Sequence, residues 1–370
     1  MTNGWDFNEV GGVIYIFMQE NVYTVEKPPR KRSENIAGTG GPAVNKPKFK
    51  RIKETCIEKI FLLTAILSGV MILIVFVFIA MKSMKVFQAN GSDFIAKMGF
   101  DTQVFDSARA PAEAPVTRFG VYGLIIGTLY TSIGALLVSA PIGILTAVVI
   151  TELSPGWMRR FLQTFVRYLA SVPSIIYGLI GILVIVPFIK KYFITLDMQT
   201  KYISYFQMTG KSLIAGIIVL SIMILPIITA LTIDALKAVP KRYKEASFAL
   251  GMSHWRTIVK VLLPSAKSGI LAGIILAVGA AVGEAIALSM VTGGIGMVPN
   301  PAGCINPLDS LLTPVLTLAT AIVTKSETLS GEYTSSALFA CGVVLLVACT
   351  LLSILSRTID YVVRRRVGID

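Results

Sequence analysis

Hydrophobic and polar positions along the 370 residues separate into long apolar runs joined by short charged connections. Six runs stand out, at about 58–82, 118–152, 161–189, 212–237, 261–294 and 333–362. Each exceeds the roughly 18 apolar residues that cross a bilayer as a helix. Backbone inside hydrocarbon has to satisfy its own polar groups, so the pattern predicts an all-α membrane protein with six transmembrane helices. Residues 1–57 differ. They are polar, contain KPPRKRSEN and GTGGPAVNKPKFKR, and lack sustained periodicity, which predicts a mostly disordered tail.

The charges orient this pattern. Lys46, Lys48, Lys50, Arg51 and Lys53 abut the first run, and Arg159, Arg160 and Arg167 lie between the second run and the body of the third. Lys237, Lys241, Arg242, Lys244, Arg256 and Lys260 follow the fourth, and Arg364, Arg365 and Arg366 close the chain. Between the last two runs, residues 295–332 hold only Lys325 against Asp309, Glu327 and Glu332. Lys and Arg concentrate on cytoplasmic flanks, so both termini are expected inside. The expected organisation is a cytoplasmic tail at 1–57, a first transmembrane helix and external loop at 58–117, and a core at 118–365 with a cytoplasmic loop at 238–260. Composition agrees: 54% of residues are hydrophobic, 15% are charged, and mean hydropathy is +0.73. The net charge of +13 is then a topological signal rather than a nucleic-acid footprint. The juxtamembrane cluster anchors the N-terminus and is also suited to anionic lipid headgroups.

Several familiar chemistries are absent. Cys56, Cys304, Cys341 and Cys349 show neither metal-type spacing nor a disulfide framework. The apolar patch at 10–18 is short and lacks a basic lead, so no cleavable signal peptide is expected. His254 is the only histidine and has no second candidate for catalysis. The stretch YFQMTGKS at 205–212 ends like a phosphate-binding loop, but Tyr205 stands where the first Gly is required.

Three segments carry the functional signal. In the loop, KEASFALGMSHWRTIVKVLLP at 244–264, Pro240 suits a helix start, Gly251 a left-handed helix end and Ser253 the cap of a second helix. A compact helix–turn–helix is predicted. In LASVPSIIYGLIG at 169–181, Pro173 interrupts an apolar run, with Ser171 and Ser174 beside it and Gly178 and Gly181 one and two turns later. A helix restarting there presents N–H groups and its positive dipole end, as discontinuous transporter helices do, while small residues also serve close packing. In GAAVGEAIALS at 279–289, Glu284 is the acidic residue deep in an apolar run. Insertion scales put that cost near ~3 kcal/mol, so a protonated carboxyl, a basic partner from elsewhere or a buried hydrogen bond is expected. Pro141 and Pro226 read as kinks that serve packing.

The loop resembles the EAA signature of ABC-importer membrane subunits, with Ser247 for the second Ala and Val261 for Ile before Leu263-Pro264. Together the three segments resemble the phosphate-specific (Pst) ABC permeases, most closely the PstC type, over about 118–365. The resemblance implies a type I ABC importer permease fold, with Glu245, Ala246, Ser247, Gly251 and His254 coupling to a separate ATPase. It implies Ser171, Pro173, Ser174, Gly283 and Glu284 along the substrate path. It further implies a PstA-like permease as heterodimer partner, a PstB-like ATPase dimer that holds ATP and Mg, and a PstS-like phosphate-binding protein; this chain would hold no cofactor. One position departs from the family pattern, which commonly has Arg four residues before the Glu where this chain has Ala280. Either the partner permease supplies that cation or the substrate is another oxyanion, such as sulfate or molybdate, or an organic anion. An intramembrane enzyme would need a nucleophile–base pair, and a standalone channel would leave the loop without a role.

Overall fold

The computed structural model describes residues 48–110, 116–298, 309–328 and 331–367, so the expected tail up to residue 47 lies outside the described residues. The chain divides into two compact units, Met1–Ala65 and Ile66–Asp370. In the first unit, the described residues 48–65 all belong to helix α1, Lys48–Asn90. This helix begins ten residues before its apolar run because KFKRIKETCI contains no Gly or Pro and many good helix formers.

The second unit is helical among its described residues, with one isolated bridge between Gly293 and Val315. After α1 come α2 (Phe100–Arg109), α3 (Tyr122–Leu153), α4 (Gly156–Ala170) and α5 (Ser174–Tyr192). Then follow α6 (Leu213–Ala238), α7 (Lys241–Ala249), α8 (His254–Ser265) and α9 (Lys267–Gly283). The last are α10 (Ile286–Val291), α11 (Leu318–Lys325) and α12 (Glu332–Val367). Among the described residues, five helices, α1, α3, α5, α6 and α12, are long and apolar enough to cross a membrane, and the pair α8–α9, bent by 66°, makes a sixth when taken as one broken span.

Two of the expected runs are subdivided. The run at 161–189 splits because α4 is amphipathic, carrying Arg159, Arg160 and Arg167, and the chain turns at 171–173 before α5. The run at 261–294 bends after Ser265 and breaks again at Glu284-Ala285. Pro141 and Pro226, by contrast, sit inside helices that continue through them.

The centre of the bundle is the seam between α3 and α6. Apolar surfaces gain nothing from leaving lipid for each other, so packing contact has to hold helices together and small residues permit it. Gly143 lies against Ile228, Gly134 against Ile217, and Gly216 against Thr131, Leu288 and Thr292. Three hydroxyls buried in these helices return to the carbonyl one turn earlier: Thr131 to Gly127, Ser139 to Ala135 and Thr229 to Leu225. That keeps them from becoming unpaired polar groups in the interior.

Residues 312–321 of the weakly charged connection before α12 are buried in the bundle. Thr313, Val315, Leu316 and Thr317 are buried, and the amide of Leu318 donates to the Thr128 hydroxyl at 2.9 Å. Thr317 and Thr320 form a capping box that starts α11. Room for this segment comes from α3, where a Cβ on Gly127 would stand 2.6 Å from the Leu316 carbonyl oxygen. α1 meets α12 through Phe78–Phe339 edge contact, the Val86 amide on Ser336, and the Lys85–Glu332 ion pair.

Gly127→Val forces backbone apart and is expected to destabilise the protein by about 1–3 kcal/mol. Gly69→Ala, on a helix face where a Cβ meets nothing within 4 Å, is the control expected to leave stability unchanged or slightly raised. Thermal denaturation of the detergent-solubilised protein distinguishes the two.

Candidate functional site

The loop between α6 and α9 has the local chemistry that its residues predict. Pro240 precedes α7 as its N-cap residue, with φ −57° and ψ 131°. At the other end Gly251 is left-handed, with φ +73°. The Met252 amide donates to the Ser247 carbonyl and the Gly251 amide to that of Phe248, the two bonds of a Schellman turn. Ser253 then caps α8 by accepting from the Arg256 amide. Glu245 and Ala246 are exposed, whereas Ser247 is buried with its hydroxyl on the Tyr243 carbonyl. Large apolar side chains also face outward here: Leu250 is 81% exposed and Trp255 60%.

The loop is held from behind by a residue that sequence reasoning missed. α3 ends in a π-helical turn, Val149–Leu153, which turns Glu152 inward while Leu153 points out. The Glu152 side chain is only 12% exposed, and its Oε2 lies 2.5 Å from Lys244 Nζ on α7 and 3.7 Å from His254 Nε2 on α8. His254 therefore belongs to this contact as well as to the exposed surface. Glu152 was detectable in principle as a lone acid at the arginine-rich end of an apolar run. α4 is clamped nearby, since Arg167 pairs with Asp234 at 2.9 Å and Lys237 donates to Gln163 at 2.6 Å.

The Pro173 and Glu284 segments are brought together. A helix does restart after Pro173, and the gap is bridged by the Tyr177 hydroxyl, which donates to the Leu169 carbonyl at 2.8 Å. The Ser171 hydroxyl donates to the Tyr168 carbonyl, Ser174 is half-buried, and Pro173 is exposed. The glycines serve packing: a Cβ on Gly178 would stand 2.9 Å from Ala287 Cα, and one on Gly181 would stand 2.6 Å from Val291 Cγ1. α5 and α10 are thus a parallel pair whose starting ends lie on the same side.

Glu284 sits between helices rather than within one. Its backbone is extended, with φ −71° and ψ 119°, and its Oε1 accepts from the Ala287 amide at 2.9 Å. The carboxylate therefore caps α10, an arrangement that a negative charge at a helix start favours. The hydrogen bond expected for this residue is present, and the group is half-buried. Gly283 beside it is exposed, with nothing within 4 Å of where a Cβ would lie. Ala280 stands one turn earlier on α9 and is half-buried. The GKS of the loop-like stretch has a structural use, because Gly210 is left-handed and Ser212 caps α6 while its amide donates to the Val291 carbonyl.

Tyr177→Phe removes the bridge across the Pro173 break and is expected to cost about 1 kcal/mol locally. Amide hydrogen exchange at 169–176 should speed up while the rest of the bundle keeps its protection.

Known proteins give this geometry a context. A family model described as the binding-protein-dependent transport system inner membrane component matches residues 139–366. The probable ABC transporter permease protein YqgH of Bacillus subtilis is 34% identical over 286 residues, 76% of this chain and 82% of its own length. The phosphate transport system permease protein PstC of Pasteurella multocida is 33% identical over 262 residues, 68% of this chain and 77% of its own. In fold, the chain is similar to one from a bacterial alginate ABC transporter solved with a periplasmic protein, at 17% identity, TM-score 0.50, and coverage of 85% and 98% of the two chains. The chain belongs to the family of binding-protein-dependent transport system inner membrane components, the membrane-embedded permeases of ABC importers.

Proposed function

We propose that this permease forms half of the translocation path for inorganic phosphate and couples it to a separate ATPase on the cytoplasmic side. The observation that carries the coupling is the capped turn between α7 and α8. Capping hydrogen bonds close it, and it exposes Glu245, Leu250 and Trp255, an apolar and charged surface that suits docking to another protein. ATP and Mg are then the partner's ligands.

A second permease subunit is supported by the uncovered face of α9 and α5. Leu276 is 59% exposed, and positions 279 and 283 meet nothing within 4 Å. Ile175, Leu179 and Leu183 on α5 are exposed as well. A PstA-like partner placed there encloses a path lined by Ser171, Pro173, Ser174, Gly283 and Glu284, and a PstS-like binding protein delivers the anion from outside. Both termini lie in the cytoplasm in this reading, as the Lys and Arg distribution requires.

Phosphate is favoured as cargo by the PstC relatives and by the helix start after Pro173. Ala280 leaves room for a second reading, an importer of another oxyanion such as sulfate. Binding of cargo and of ATP shifts the transporter between inward- and outward-open states only through different affinity for each.

Gly251→Leu puts a branched side chain where φ is positive, costing about 1–2 kcal/mol in the turn, and with Glu245→Arg is expected to abolish ATPase co-purification and uptake. Survival of both activities in these variants would refute the coupling role. Radiolabelled phosphate uptake into cells expressing the complete importer is expected to be competed by unlabelled phosphate and not by equimolar sulfate. The reverse preference would overturn the cargo assignment.

A further inference from the structure

We infer that Glu152 is the positioning residue through which movement of the coupling loop reaches the transmembrane bundle. This inference rests on the coupling role proposed for the loop and names the contact that transmits it. The two helices of the loop are secured differently. α8 is anchored by Ile258 and Leu262, which belong to a buried apolar cluster with Ala147, Ile150 and Ile233 of α3 and α6. α7 has no such anchor: Ser247 is its one buried residue.

Lys241, Lys244 and Phe248 of α7, with the exposed Glu245 at the rim, line an open cavity of about 460 Å³ that Glu152 and Arg159 also line. Close-packed side chains transmit displacement well, and an open cavity does not. At the wall of that cavity, the Glu152–Lys244 contact ties α7 directly to the end of α3. The same Glu152 oxygen lies 3.7 Å from His254, so one carboxylate is engaged from both sides of the Gly251 turn.

The placement of Glu152 suits this task. It lies in the π turn Val149–Leu153, and such turns recur at functional positions in helices. Because its side chain is mostly covered, at 12% exposure, loss of Lys244 leaves a poorly solvated carboxylate without its partner. Displacement of α7 toward or away from the bundle therefore pulls on the end of α3. That helix runs along α6 through Gly134 and Gly143, and α6 in turn touches α10 through Gly216, which lies against Leu288. A continuous path of contact leads from Lys244 to the helix beside Glu284.

The test uses the complete importer, with both permeases, ATPase and binding protein, reconstituted in proteoliposomes. Four versions are compared with the wild type: Glu152→Gln, Glu152→Lys, Lys244→Glu and the exchanged pair Glu152→Lys/Lys244→Glu. The single changes are expected to keep the ATPase bound and the KM for phosphate, while phosphate transported per ATP hydrolysed falls about tenfold. The exchanged pair should recover to within about threefold of wild type. Full coupling in Glu152→Gln, or loss of the ATPase from it, overturns the inference, since transmission and docking are then the wrong division. If charge reversal prevents assembly, Glu152→Gln decides the matter alone, because it keeps the size of the side chain. If the wild-type importer takes up no phosphate, the cargo reading fails by itself. Binding-protein-stimulated ATP hydrolysis then replaces uptake: loss of that stimulation in Glu152→Gln with the ATPase still bound supports the inference, and intact stimulation overturns it.

Discussion

A backbone group that leaves its helix inside an apolar medium has to find another partner, and this fold is arranged around the places where one is provided. After residue 170 the Leu169 carbonyl receives the Tyr177 hydroxyl. After residue 283 the amide of Ala287 donates to the Glu284 carboxylate. Where α6 begins and α10 ends, Ser212, Leu213, Thr292 and Gly294 exchange backbone bonds with Val291, Thr313 and Val315, so three chain segments close one another's ends. Each interruption is therefore stable and sits at a defined place.

Close approach depends on those fixed interruptions. α5 can lie against α10 at Gly178 and Gly181 only because both helices start where they do. The buried segment 313–317 can lie on α3 only because Gly127 leaves its carbonyls room. Small residues and satisfied breaks thus act together. They yield a bundle with a covered interior, outside which α9 leaves Leu276, Gly279 and Gly283 exposed.

The loop obeys a different physics, that of water-exposed helix ends. Pro240, Gly251 and Ser253 close it with ordinary capping chemistry, and no burial is needed to explain its form. Its connection to the bundle is electrostatic on the α7 side and apolar on the α8 side. A mostly covered carboxylate gives that connection direction, because Lys244 and His254 beside it both lie on the loop.

Local chemistry was legible in the residues by themselves. Apolar runs longer than a bilayer is thick required helices, Gly251 required a left-handed turn, and Pro173 required a restart. These depend only on neighbours along the chain. The amphipathic break between α4 and α5 was less plain, because Arg167 interrupts a run whose average remains apolar. What tertiary structure alone decided is which separated residues meet. Glu152 and Lys244 are 92 positions apart, and Gly178 reaches Ala287 only through the crossing of two spans. For Glu284, sequence correctly marked an unusual acid, but only the break in the helix revealed its partner as a backbone amide. Charge and hydropathy are properties of single positions, whereas the groups that satisfy them are selected by the packing of the whole bundle.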